Sequence, residues 1–161
     1  MHARAEELIR ALRLQPHREG GPFAEVFRSP RLVRPPGGER DRSALTTIYF
    51  LLAAGDVSRW HRLDADEIWH FYEGTTLALF LLDADARILT RSRLGAGAPG
   101  DVRVQIVPAG SWLAARPAGE YALVGCTMGP GFDTEGFALM RDAPGVADDV
   151  ARRFPEVAGL I

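Results

Sequence analysis

Apolar and polar residues alternate along most of this chain with a period near two, and a helical period is confined to its two ends. Near the start, Leu8, Ile9 and Leu12 share one helical face between charged neighbours, and Gly20-Gly21 closes that region. A loose alternation follows over 23–33, broken by Pro30, and then a polar loop over 34–41. From there the pattern predicts strand after strand: 44–53, 57–63, 67–73, 77–83, 87–94, 102–107, 111–116, 121–128 and 137–140. Gly, Pro or Asp punctuates most of the gaps. Val146, Val150 and Phe154, spaced four apart, predict a short closing helix. Many short strands at this spacing indicate an all-β sandwich or barrel, with short N- and C-terminal helices and one domain over 1–161.

Strand 44–53 departs from simple alternation. Leu45 and Leu51 fall on one face, and Ile48, Phe50 and Leu52 on the other. A strand with one wet face does not read this way, so both faces need cover. The cover is either a terminal segment or another subunit; the N-terminal stripe of three residues is too small for a whole sheet, so a two-fold related copy of the chain is expected to cover the remainder.

Composition adds bounds. The 161 residues suit one domain, and 47% hydrophobic with 25% charged residues is ordinary for a globular protein. A net charge of −2 gives no reason to expect a nucleic-acid polymer or an anionic membrane as partner. Cys126 is the single cysteine, so no intramolecular disulfide forms, and its apolar strand predicts an inert buried thiol. The charged N-terminal stretch is no signal peptide, and the apolar run 48–54 is too short to cross a bilayer. The expectation is a soluble, cytoplasmic chain. There is no Gly-rich phosphate loop, paired-cysteine zinc site or Gly-x-Ser-x-Gly elbow.

The chemistry concentrates between Gly55 and Gly74. His61 follows Gly55 after five residues, and Gly74 follows Glu67 after six. A histidine late in one strand and a carboxylate early in the next are expected to face each other across a hairpin and point inward. There they can bind a metal or move protons.

This spacing resembles the first motif of the cupins. The resemblance extends to the cupin-5 (DUF985) family through His17-x-Glu19-Gly20-Gly21, Ser58-x-Trp60-His61-Arg62 and the block Asp66 to Gly74. It continues through Val107-Pro108-Ala109-Gly110-x-Trp112, Tyr121 to Thr127 and Pro130-Gly131-Phe132-Asp133. The resemblance implies a double-stranded β-helix, the cupin jelly roll, paired as a homodimer. It also implies similarity to sugar-nucleotide epimerases and other sugar-isomerising cupins. Two of the family's usual metal ligands are replaced, by Leu63 and Leu113, and Arg18 stands where proline is usual.

The expected function is therefore an enzyme of isomerase or epimerase type acting by proton transfer on a sugar, sugar nucleotide or similar polar metabolite. His61 is the expected base and Glu67 the group that orients it, with His70 or a tyrosine returning the proton. Strand alternation puts His70 opposite to Glu67 unless a bulge intervenes, so a pocket and an interface role both stand for it. Tyr49, Arg59, Trp69, Gln105 and Trp112 are the candidate ligand-binding residues. His17 and Glu19 read as members of a structural turn. A divalent metal on His61 and Glu67 is the alternative, weakened because first-row metals normally take three protein ligands. A non-catalytic small-molecule binder is the remaining reading.

Overall fold

The computed structural model describes residues 2–35 and 37–161, so Pro36 of the predicted 34–41 loop lies outside the described residues. Two antiparallel sheets pack face to face. The first runs in the order β1 (Gln15–Pro16), β2 (Pro22–Arg28), β5 (Thr46–Ala53), β12 (Tyr121–Gly129), β7 (Asp66–Gly74), β10 (Val104–Val107). The second runs β13 (Phe137–Leu139), β6 (Ser58–Leu63), β11 (Trp112–Pro117), β8 (Leu77–Leu82), β9 (Leu89–Leu94). A small ribbon of β3 (Leu32–Val33) and β4 (Arg42–Ser43) lies apart, so the single strand expected over 23–33 is two strands divided at Pro30. This is the all-β jelly roll.

Inward positions of both sheets form the main core, with Phe50, Leu52, Trp69 and Val124 facing Leu77, Leu79, Leu113 and Ala115. Two outer layers flank it. Helix α1 (Ala3–Ala11) brings Ala5 and Leu8 onto Leu51, Ala53, Tyr121 and Leu123 of the first sheet. Helix α2 (Pro144–Arg153) and the turn Pro155–Leu160 bring Ala147, Val150, Val157 and Leu160 onto Trp60, Phe80 and Trp112 of the second. Strand β5 is thus apolar on both faces because α1 covers part of its outer side. Among the described residues no helix is long and apolar enough to cross a membrane.

Strands β6 and β7 do not form a hairpin. Asp64 and Ala65 carry the chain from one sheet to the other, so His61 and Glu67 belong to facing layers. The contrast with expectation comes from topology: a two-residue link joins hairpins, but it also suffices to turn a sandwich corner.

Candidate functional site

A fourth apolar cluster, Leu63, Ala65, Met128, Phe137 and Leu139 with Phe132 against it, fills one end of the sandwich. Beside it a cavity of about 270 Å³ opens between the sheets. Its walls are mostly apolar: Phe23 and Ile48 on one side, Leu63, Met128, Phe132 and Phe137 on the other, with Cys126 also lining it. The polar lining comes from His17, Arg18, Glu19, Glu25, Glu67 and two threonines, Thr46 and Thr134.

Glu19 is the centre of the polar network. It sits on the turn between β1 and β2, where the His17 N–H donates to the Gly21 carbonyl at 2.8 Å. Gly20 and Gly21 have φ of +115° and +66°, a region that disfavours side chains. A Cβ at Gly20 would meet the Val57 carbonyl oxygen at 2.1 Å, so this pair lets the turn press against the second sheet. The Arg59 N–H donates to the Glu19 carbonyl at 2.9 Å and pins it there.

The Glu19 side chain, 7% exposed, then reaches three donors. Its Oε1 lies 2.9 Å from His17 Nδ1. Its Oε2 lies 2.8 Å from His61 Nδ1 and accepts from Ser58 Oγ at 2.6 Å. Ser58 and His61 share a face despite odd spacing because β6 bulges: Leu113 pairs with His61, but Ala115 pairs with Ser58.

The electrostatics follow. Burial alone would raise the Glu19 pKa, but the charge of His61 and hydrogen bonds from both histidines hold it well below the usual carboxylate range. Burial likewise disfavours charge on His61, and the Glu19 carboxylate overrides it, pushing the imidazole up to about 9. Both neighbours of His61 Nδ1, Glu19 Oε2 and the Arg59 carbonyl at 2.8 Å, are acceptors. That nitrogen therefore carries a hydrogen in either charge state.

Glu67 behaves oppositely. It is 6% exposed and lines the cavity. Burial pushes its carboxyl up to about 7, against the opposing charge of His61 and a hydrogen bond from Trp69 Nε1. That bond is 2.6 Å long. Two buried carboxyl groups thus stand at opposite ends of the scale: Glu19 is ionised throughout, while Glu67 changes protonation near neutral pH. Such separation marks acid and base roles in a site. The Cys126 thiol is pushed well up by burial, in keeping with an inert group.

The structure brings together His61, Glu67 and Trp69 of the predicted set and leaves the others elsewhere. His61 does not line the cavity. It is 1% exposed and stacked on Phe137, ring centroids 5.6 Å apart. Its orienting partner is Glu19, not Glu67. His70 lies outside the cavity on the outer side of the first sheet, paired with Gly125 and Val104, as alternation requires. Tyr49 also faces outward, packed against the α1 layer and 5.9 Å from Tyr72. Trp112 belongs to the opposite outer layer, under the Arg62 guanidinium at 4.8 Å. Arg59 reaches away to the Ile161 carbonyl, and Gln105 turns back to the Ile106 carbonyl on the edge strand.

Sequence reasoning gave His17 and Glu19 a structural turn only, took Arg18 as a loop departure, and passed over Phe137. The available signal was the acidic residue directly before two glycines, since such a pair marks close backbone approach.

The metal alternative fares poorly against the donor set. Among the described residues no three His, Cys, Asp or Glu side chains are arranged to hold a metal ion. His61 has only Nε2 left to offer, Glu67 is engaged by the Trp69 indole, and Leu63 presents a hydrocarbon wall, so the set falls short of the three protein donors a first-row metal normally takes. The residues present do not fit a cupin metal centre.

Comparisons with known proteins agree with this architecture. A hypothetical protein from Leishmania major is 30% identical, covers 98% of this chain and 96% of its own, and superposes with a TM-score of 0.83. A protein from Shewanella oneidensis is also 30% identical, over 97% of this chain and 93% of its own, at a TM-score of 0.81. Oxalate decarboxylase from Bacillus subtilis shares the fold alone: 16% identity, TM-score 0.57, covering 91% of this chain and 36% of that one. None of the curated proteins compared with the chain matches it. A family model described as the cupin superfamily (DUF985) matches residues 6–140, and the chain belongs to that Cupin_5 family.

Proposed function

We propose that this cupin is an enzyme of isomerase type that moves a proton on a small molecule bound in the cavity, with Glu67 as the proton-transfer group. The observation that carries the reading is a cavity-facing, buried carboxyl held at about 7. Near neutral pH such a group is present both as base and as acid. The carboxylate takes a proton from carbon adjacent to a carbonyl, the C–H electron pair passes into an enolate, and the resulting carboxylic acid returns the proton to the enolate oxygen, giving the enol tautomer. Trp69 Nε1 orients the carboxyl through Oε2 and favours its charged form. His61, kept cationic by Glu19, supplies positive potential behind the Phe137 wall and restrains the Glu67 pKa from rising further.

The dimensions and walls narrow the substrate. A cavity of about 270 Å³ with mostly apolar sides suits a small metabolite with a hydrocarbon portion better than a sugar nucleotide. Neither His70 nor a tyrosine lines it, so the two-sided relay that epimerisation requires is less well supported than isomerisation on one face.

Deuterium exchange tests the proposal. A panel of small aldehydes, ketones and 2-oxo acids is incubated with the protein in D2O and followed by proton NMR. Enzyme-dependent loss of a signal next to a carbonyl is expected, falling at least about 100-fold in Glu67→Gln, within the usual range for a general base. Full exchange by Glu67→Gln, or none by the wild type across the panel, would refute it. A non-catalytic binder is the second reading, favoured by Leu63 in a usual ligand position. It predicts a ligand that binds and is recovered unaltered.

A further inference from the structure

Arg18 lines the cavity as a cation and has no ionic partner among the described residues. Glu25 is bound by Arg28, Nη2 to Oε2 at 2.7 Å. Glu19 is held by His17, His61 and Ser58. Glu67 is near neutral and bonded to Trp69. The Arg18 guanidinium instead lies over the Phe137 ring, 4.4 Å from its centroid, and lines the cavity.

That placement is a poised one. A guanidinium stacked on an aromatic face is fixed in plane by cation–π attraction and dispersion. No ion pair occupies its N–H groups among the described residues, which leaves them available to a planar acceptor. A fork of parallel donors matches a carboxylate in bidentate fashion. The same Phe137 ring is one of the apolar walls, so an anion on Arg18 places any attached hydrocarbon directly against Phe137, Leu63 and Met128.

We infer that Arg18 is the ligand-anchoring residue of this cavity and that the ligand is a small organic acid, a carboxylate on a short apolar body. The inference rests on reading this cavity as the ligand site, and it does not depend on proton transfer by Glu67. The charge balance supports it: Glu19 and His61 compensate each other, Glu25 and Arg28 do the same, and the remaining carboxyl, Glu67, is only partly ionised near neutral pH, so Arg18 is left without a full counter-charge. The apolar walls supply the affinity and Arg18 the selection for acids over neutral analogues of the same shape.

The test is binding by titration calorimetry and thermal shift on the intact protein. The probes are benzoate, phenylpyruvate and 4-methyl-2-oxopentanoate, each beside a neutral counterpart: benzamide, benzylacetone and 4-methyl-2-pentanone. At least one acid is expected to bind roughly 10- to 100-fold more tightly than its counterpart, the range for a charged hydrogen-bonded contact. Arg18→Met should erase that preference while leaving the neutral compound's affinity and the melting temperature unchanged, because Arg18 is exposed. Arg18→Lys should keep part of it. Equal affinity for acid and neutral partner, an undiminished preference in Arg18→Met, or no acid bound at 10 mM would overturn the inference. Acid binding without proton exchange would leave Arg18 in place and refute the proposed reaction. Exchange on 2-oxo acids with Arg18→Met as active as wild type would do the reverse.

Discussion

Glu19 Oε2 stands 2.8 Å from His61 Nδ1, and this buried ion pair joins the turn before β2 to the bulged strand β6 across the mouth of the sandwich. Neither group is tolerable there alone. A buried carboxylate or imidazolium without its partner is strongly disfavoured. Glu19→Gln should therefore destabilise the fold by about 3–5 kcal/mol, the range for removing one member of a buried pair. It should also let His61 lose its proton at a lower pH. Denaturant unfolding and the imidazole proton shifts read the two effects separately.

The same pair sets a stability profile in pH. His61 has a folded pKa of about 9, above the usual 6.5. Its contribution is full below pH 6.5 and is lost as pH rises toward 9. Over 2.5 units that amounts to about 3 kcal/mol at 1.36 kcal/mol per unit. Glu67, raised to about 7 from 4.5, works in the same direction over a lower window. Glu19 works oppositely: its pKa is depressed, so its share is present above pH 4.5 and lost on acidification below that. The melting temperature should fall between pH 6.5 and 9, and His61→Gln should flatten that limb at a lower overall stability. A flat wild-type profile over that range would count against the charged His61.

Trp69 tunes Glu67 through one hydrogen bond of 2.6 Å to the ionised form. Trp69→Phe keeps most of the ring and removes the donor. The Glu67 pKa should rise by about one unit, as loss of a hydrogen bond to a charged group implies. An activity profile limited by the Glu67 carboxylate should then move to higher pH by the same amount. An unmoved profile would show that the indole only fills space.

The outer face of the first sheet is the place where we propose that a second copy docks. Helix α1 covers one end, but Val104, Ile106, Tyr72 and Phe27 remain 48%, 60%, 52% and 49% exposed. The register places Thr47, Ile68, His70 and Thr127 on the same face, and none of these eight is an Asp, Glu, Lys or Arg. A patch of these eight residues is complementary to itself under a two-fold axis, and such an interface should bury upwards of roughly 2,000 Å². Sedimentation should give a dimer at low micromolar concentration, and Ile106→Asp should split it. A stable wild-type monomer of 17.6 kDa would refute the pairing.

The sheets and end helices were legible in the sequence because a period of two and its Gly, Pro and Asp breaks are local signals. All nine strands predicted after residue 43 reappear within about two residues of their places, with 44–53, 87–94 and 102–107 each starting two residues later than predicted. The site was legible only in part. His61 and Glu67 announced themselves by spacing, yet their relation depends on β6 and β7 lying in different sheets, which no local pattern encodes. Glu19 is 42 residues from His61 and reaches it only through the Gly20-Gly21 turn. Tyr49, Arg59, Gln105 and Trp112 were placed near the pocket by strand proximity, but each side chain points outward or along an edge.

The Glu67 carboxyl titration tests the central claim most directly. With glutamate carboxyl carbons labelled by 13C, the resonance missing in Glu67→Gln identifies the group, and its shift is followed from pH 4 to 9. The account predicts a midpoint near 7, set by burial against His61 and Trp69. A midpoint near the ordinary glutamate value of about 4.3 would contradict it, because Glu67 would then be a plain carboxylate at neutral pH with no proton to return.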